Sequence, residues 1–124
     1  MDRGALTNWL DAYGAAWETR NPNAAVALFA EGALYQETPF GDPMRGPEAI
    51  RRYWSRVPQD QRDVSFGYEI LSVDPAMAHW WASYTEVATG EATKLDGVFV
   101  LEFDRENRCT SLREWWHAHP RPAF

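Results

Sequence analysis

One cysteine, Cys109, stands in the 124 residues, so no disulfide can form within the chain, and a lone thiol fits a reducing, cytoplasmic setting. Basic residues are also scarce. Twelve Lys and Arg face eighteen Asp and Glu, for a net charge of -6. No basic stripe is available to neutralise phosphates, which argues against a nucleic-acid partner and equally against an anionic membrane surface. No apolar run approaches the roughly 20 residues that cross a bilayer. Met1-Asp2-Arg3-Gly4 leads into a helical pattern rather than a signal segment. The Cys and His spacing of a zinc site is missing, so no metal is expected. Internal repeats, linkers and low-complexity segments are missing too, and the length suits one domain spanning residues 1–124.

What is abundant is aromatic. Phe, Trp and Tyr make up 15% of the chain and include seven tryptophans, enough to fill a small core and line a cavity in it. Leu6, Trp9, Leu10, Tyr13, Ala16 and Trp17 recur at helical spacing and predict a helix over 5–19. Asn21-Pro22-Asn23 breaks it, and Asn21 or Asn23 can cap a second short helix through Ala24, Val26, Ala27, Leu28 and Phe29. Glu31-Gly32 ends that helix. Residues 33–37 read as a short strand with Tyr35 and Glu37 on one face, and 38–47, rich in Pro and Gly, as a loop. Pro47 suits the first turn of a third helix to Ser55, with Ile50, Tyr53 and Trp54 inward. Segments near 63–73, 78–88, 93–104 and 108–119 read as strands joined by short connectors. Helices followed by an antiparallel meander predict an α+β fold, three N-terminal helices packed on a curved antiparallel sheet, with an aromatic-lined hollow between the layers.

The last strand carries the most chemistry. Alternation puts Leu112, Glu114, Trp116 and Ala118 on one face and Arg113, Trp115 and His117 on the other. Glu114 thus lies between apolar neighbours. It is either paired with an arginine such as Arg113, Arg52 or Arg62, solvated, or held with a raised pKa for proton transfer. Glu37 is a second carboxylate, catalytic if it shares a hollow with Glu114 and solvated if it belongs to the loop. Tyr13 is on the apolar stripe, a hydrogen-bond donor to a developing oxyanion or a core residue. His79 shares strand parity with Trp81 and Ser83 and is a candidate base or a structural hydrogen-bonder. Asp96, before Gly97, is a candidate acid or a partner for Lys94. Trp17, Tyr35, Phe40, Trp54, Trp81, Phe99 and Trp116 are the candidates to hold an apolar ligand, with Trp17, Trp54, Trp81 and Trp116 expected around one hollow. Trp80, Tyr84 and Trp115 are expected on the outer sheet face, an apolar patch that suits a homodimer. Cys109 reads as a small apolar filler.

The order helix, helix, short strand, helix, four long strands resembles the cone-shaped fold of the nuclear transport factor 2-like superfamily over nearly the whole chain. Ala12-Tyr13-Gly14-Ala15-Ala16-Trp17, Val26-Ala27-Leu28-Phe29-Ala30 and Gly46-Pro47-Glu48-Ala49-Ile50 resemble its ketosteroid isomerase and SnoaL-like polyketide cyclase branches. The isomerase resemblance implies that Tyr13 is the oxyanion donor and Glu37 the proton shuttle. It also puts Trp54 where a supporting tyrosine stands and Phe99 where the second oxyanion donor, a protonated aspartate, stands. Asp96 is near that place but of opposite strand parity unless a bulge intervenes. The cyclase resemblance implies a general acid/base seven residues past Asn107, at Glu114. An epoxide hydrolase of this fold adds an Arg-x-Asp pair on a neighbouring strand, and 78–88 contains none.

Two readings follow. One is an enzyme that binds an apolar or polycyclic metabolite and performs acid/base chemistry without a cofactor: isomerisation, cyclisation or hydration. Glu37 or Glu114 is then the shuttle and Tyr13 the donor. The other is a ligand-binding or assembly module of the same fold without catalysis, since one fold hosts many functions.

Overall fold

Asp2 starts the first helix. Its carboxylate accepts the Ala5 amide at 2.8 Å, and α1 (Arg3–Glu18) follows with its whole apolar stripe, Leu6 to Trp17, buried. The next cap is Asn21, which accepts from Ala24 N and opens α2 (Pro22–Val26). This helix is shorter than its apolar pattern predicts. β1 (Phe29–Gln36) begins where the helix was expected to continue, because Cys109 N donates to Leu28 O at 2.9 Å and Phe29 pairs with Cys109. A distant strand decides the conformation of residues whose local pattern suits a helix. Glu37 sits just past the end of β1.

Inside the segment read as a loop, β2 (Met44–Arg45) pairs with Leu34 and Tyr35 of β1. α3 (Gly46–Trp54) buries Ile50 and Trp54. A fourth, one-turn helix, α4 (Arg56–Asp60), lies between the third helix and the first long strand, where no element was expected, and contains Pro58. Proline is tolerated in a first turn, where amides lack intrahelical partners anyway. β3 (Gln61–Val73), β4 (Ala76–Glu86), β5 (Ala92–Phe103) and β6 (Cys109–His119) match the four predicted strands to within two residues at each end.

The computed structural model describes residues 1–120. Its strands form one curved, open six-stranded sheet in the order β2-β1-β6-β5-β4-β3, with the helices from the N-terminal half of the chain. The fold is α+β as expected, but the sheet is not wholly antiparallel. β1 and β6 run parallel, because the chain between them makes a long excursion before β6 returns to lie beside β1. This pairing aligns Gln36 with Arg113 and so brings the end of β1, with Glu37 beyond it, beside Glu114.

Across the sheet, Tyr68, Trp80, Gly97 and Trp116 are successive partners, and so are Phe99 and Glu114. These residues face the helices. Gly97 matters because a Cβ there would lie 2.6 Å from the Trp115 carbonyl oxygen and 2.8 Å from Trp116 Cβ. Only a hydrogen fits between the flanking tryptophans. Cys109 is fully buried among the core residues, and burial pushes its thiol up to about 12, the behaviour of an apolar filler.

Candidate active site

Between the helices and the inner sheet face lies a cavity of about 630 Å³. Its deep end is aromatic and nearly closed. Tyr13 comes from α1, Tyr35 from β1, Trp54 from α3 and Trp80 from β4, none more than 2% exposed. Tyr13 and Tyr35 share a hydrogen bond between hydroxyls at 3.0 Å. Tyr13 is fixed by edge contacts to Trp54 and Phe99, ring centres 5.4 and 5.2 Å away. Phe99 is fully buried beneath Tyr13 and Trp80 and does not line the cavity itself. At this position the chain packs a ring in place of a polar donor.

Among the described residues, Glu114 is the one charged residue whose side chain is buried. It lines the cavity at 6% exposure, between Leu112 and Trp116 along β6, and among the described residues its Oε2 has no hydrogen-bond partner. No arginine among the described residues forms an ion pair with it. Burial holds its pKa well above the usual glutamate range, and the Glu37 charge pushes in the same direction. Glu37 is half-buried on the cavity wall. Partial desolvation raises its pKa, and Arg56 opposes the rise. The Trp116 indole donates to the Glu37 carbonyl at 3.0 Å and ties the segment beyond β1 to β6. The phenols of Tyr13, Tyr35 and Tyr53 are all pushed up, first by burial, with the charge of Glu114 adding to each. They remain protonated donors.

Seven of the expected residues therefore meet at this cavity: Tyr13, Trp17, Tyr35, Glu37, Trp54, Glu114 and Trp116. Trp17 is anchored by its indole donating to Gln61 Oε1 at 2.7 Å. Others lie elsewhere. Trp81 was expected in the hollow, yet it is 43% exposed on the outer sheet face, stacked obliquely against His79 at 5.0 Å. His79 and Asp96 are on that outer face too. The histidine bridges Glu69 Oε1 at 3.0 Å and Asp96 Oδ1 at 2.9 Å, and the Asp96 hydrogen bond is the main cause of its raised pKa. No bulge reverses the parity of Asp96, so it cannot reach the cavity. Phe40, at 98% exposure, stands in solvent outside it.

The error over β4 is one of sign. Trp80 and Tyr84, expected outside, face inward, and Trp81 faces out. The exposed patch is built from Trp81 and Trp115 instead. The signal was available in the small residues: Ala76, Ala78 and Ala82 share parity with Trp80 and are buried, while His79 and Ser83 share parity with Trp81. The sequence reading also missed Tyr53, Arg56, Asp60, Glu86 and Glu91, which complete the wall and the rim. The acids of the rim belong to segment ends, and no periodicity marks them.

Known proteins give this geometry a context. A family model described as a SnoaL-like domain matches residues 10–112. The chain is 25% identical over 116 residues to a steroid Δ-isomerase of Nocardioides simplex, covering 92% of this chain and 88% of that one. In fold it is similar to a putative isomerase from Bacillus subtilis, with a TM-score of 0.82, 20% identity and coverage of 94% and 90%. It is also similar to SalBIII, an epoxide hydrolase/cyclase-like enzyme with a role in pyran ring formation in the polyether salinomycin. There the TM-score is 0.80, the identity 18% and the coverage 93% and 92%.

Proposed function

We propose, from the premise that this chain belongs to the SnoaL-like family, that the cavity binds an apolar, flat or polycyclic molecule and moves protons on it without a cofactor. The observation that carries this is Glu114: a buried carboxyl with an unpartnered oxygen at an otherwise aromatic cavity. An unsatisfied buried carboxyl costs stability, and a site for proton transfer is a reason to keep one. Isomerisation, aldol-type cyclisation and hydration share one need. A proton leaves one atom of the substrate, negative charge gathers on an oxygen, and a proton returns elsewhere.

The two carboxyls divide that work by environment. Glu37, half-exposed beside Arg56, is the ionised base. Glu114, held neutral by burial, is the acid that gives its proton and recovers it. Each positioned group of this kind contributes about 10²–10⁴-fold in rate. In the Tyr13–Tyr35 pair only one hydroxyl hydrogen is used between the rings, so the other is free to donate to the developing oxyanion. The surrounding indoles exclude water and strengthen both interactions. We further propose that Trp81 and Trp115, exposed on the outer face, form the centre of a homodimer contact.

A substrate opened by a base, with an acid to protonate the phenolate oxygen that leaves, tests the reading. Benzisoxazole opens when its C3 proton is removed and the N–O bond breaks. Glu37→Gln should abolish this opening, while Glu114→Gln should bind the probe and lose most of its turnover. Full activity in both variants would leave a binding module in place of an enzyme.

A further inference from the structure

The rim of the cavity is chemically unlike its depth. Asp60 ends α4, Glu86 ends β4, and Glu91 precedes β5, and all three line the opening. Backbone bonds hold them to one rim: Val87 N to Asp60 O at 2.9 Å, and Glu86 N to Glu91 O at 2.9 Å. Among the described residues none of these carboxylates has an ion-pair partner. Among the described residues the one cation lining the cavity is Arg56, and its influence falls on Glu37 and Tyr53. Glu86 and Asp60 converge instead on Tyr84, whose phenol is pushed up first by burial and then by these two charges.

Solvated acids at a rim would mean little alone. The deep end supplies the independent observation. Among the described residues, Glu114, 6% exposed, lines the cavity with Oε2 unpartnered, and the indole N–H groups of Trp54 and Trp80 are buried there without an acceptor. The depth thus asks for a ligand with an oxygen function, the middle for an apolar ring system, and the rim for positive charge.

We propose that the substrate is a cationic amphiphile: a ring system that places an oxygen function beside Glu114 and carries a protonated amine at the Asp60–Glu86–Glu91 rim. This deepens the reading of the cavity as the binding site and rests on it. Tyr84 and Trp116 line the same cavity, and aromatic rings, in addition to the carboxylates, attract cations. The volume of about 630 Å³ lies in the range for such a molecule. The net charge of -6 draws a cation toward the protein from a distance.

Three probes of one shape test this by quenching of tryptophan fluorescence: 1-naphthylmethylamine, 1-naphthalenemethanol and 1-naphthoate. At low salt the amine should bind about tenfold more tightly than the alcohol, and the carboxylate more weakly than either. The variant D60N/E86Q/E91Q should bind the alcohol as the parent does and hold the amine within about twofold of it. A control, E31Q/D42N/E102Q, removes as much charge away from the cavity and should keep the preference. Alcohol binding without amine preference, or a preference that survives the rim variant, overturns the cationic substrate and leaves the binding site standing. Failure of both alcohol and amine to bind overturns the binding site as well.

Discussion

Replacing Glu114 by leucine should make the protein more stable and inactive. The carboxyl is 6% exposed, one oxygen has no partner, and its proton affinity is raised first by burial and then by Glu37. Relieving an unsatisfied buried polar group is worth about 1–3 kcal/mol even with the carboxyl neutral. The ionic part adds to this and carries a pH signature. In the unfolded chain the carboxyl titrates in the usual glutamate range, and in the folded chain well above it. Between the two values the folded state holds a proton that the unfolded state has lost. Stability therefore falls as pH rises through that window, by about 1.4 kcal/mol per pH unit, and is unaffected by this group below it. Glu37, also raised, contributes a slope of the same sign, and most of it cancels when variant and parent are compared. The assay is urea unfolding at a series of pH values from about 4 to 7. The gap between Glu114→Leu and the parent should open steadily as pH increases. Parallel stability curves, or a variant less stable than the parent, would mean that Glu114 is hydrated or paired, and the proposed acid would lose its physical basis.

Four further outcomes follow from the same geometry. The rate of proton transfer should be bell-shaped in pH, rising as Glu37 ionises and falling as Glu114 does, and Glu114→Gln should remove the alkaline limb only; a profile whose alkaline limb persists in that variant contradicts the assignment. Tyr13→Phe should fold normally by circular dichroism and lose about 10²–10³-fold in rate, and an unchanged rate would return Tyr13 to the core. Gly97→Ala should cost about 1–3 kcal/mol in urea unfolding and weaken naphthyl probe binding, because its methyl group meets the Trp115 carbonyl and displaces Trp116. Sedimentation should give a dimer mass at micromolar concentration, reduced to the monomer by the double variant W81E/W115E; a monomeric parent removes the outer-face contact.

Much of the architecture was legible because its signals are local. Asn21 marks a helix start through its own side chain, and the stripe from Leu6 to Trp17 has one period and one buried face. The long strands announce themselves by turn residues between them. Glu114 was legible for the same reason, a carboxylate sharing strand parity with Leu112 and Trp116. What failed was different in kind. Leu28 and Phe29 continue the apolar pattern of the second helix, and pairing with β6 makes Phe29 the start of a strand.

Alternation along β4 separates Trp80 from Trp81 whatever the fold, but period-two patterning has no sign. Only packing against α1 chooses which tryptophan is buried, and it chose the face of Ala76, Ala78 and Ala82, where small neighbours leave room for the indole of Trp80 above Phe99. The same holds for chemistry at a distance. The residue types of the two carboxyls and the tyrosines were written in the chain, and their separate strands and helices could be named from it. The parallel pairing of β1 with β6 set Glu37 beside Glu114, and the ends of α4 and β4 with the segment before β5 closed an acidic rim around them. Such meetings join residues far apart in sequence, 77 positions (114 − 37) for the two carboxyls, and a local pattern cannot encode them. Burial then turned an ordinary glutamate into a group that holds its proton.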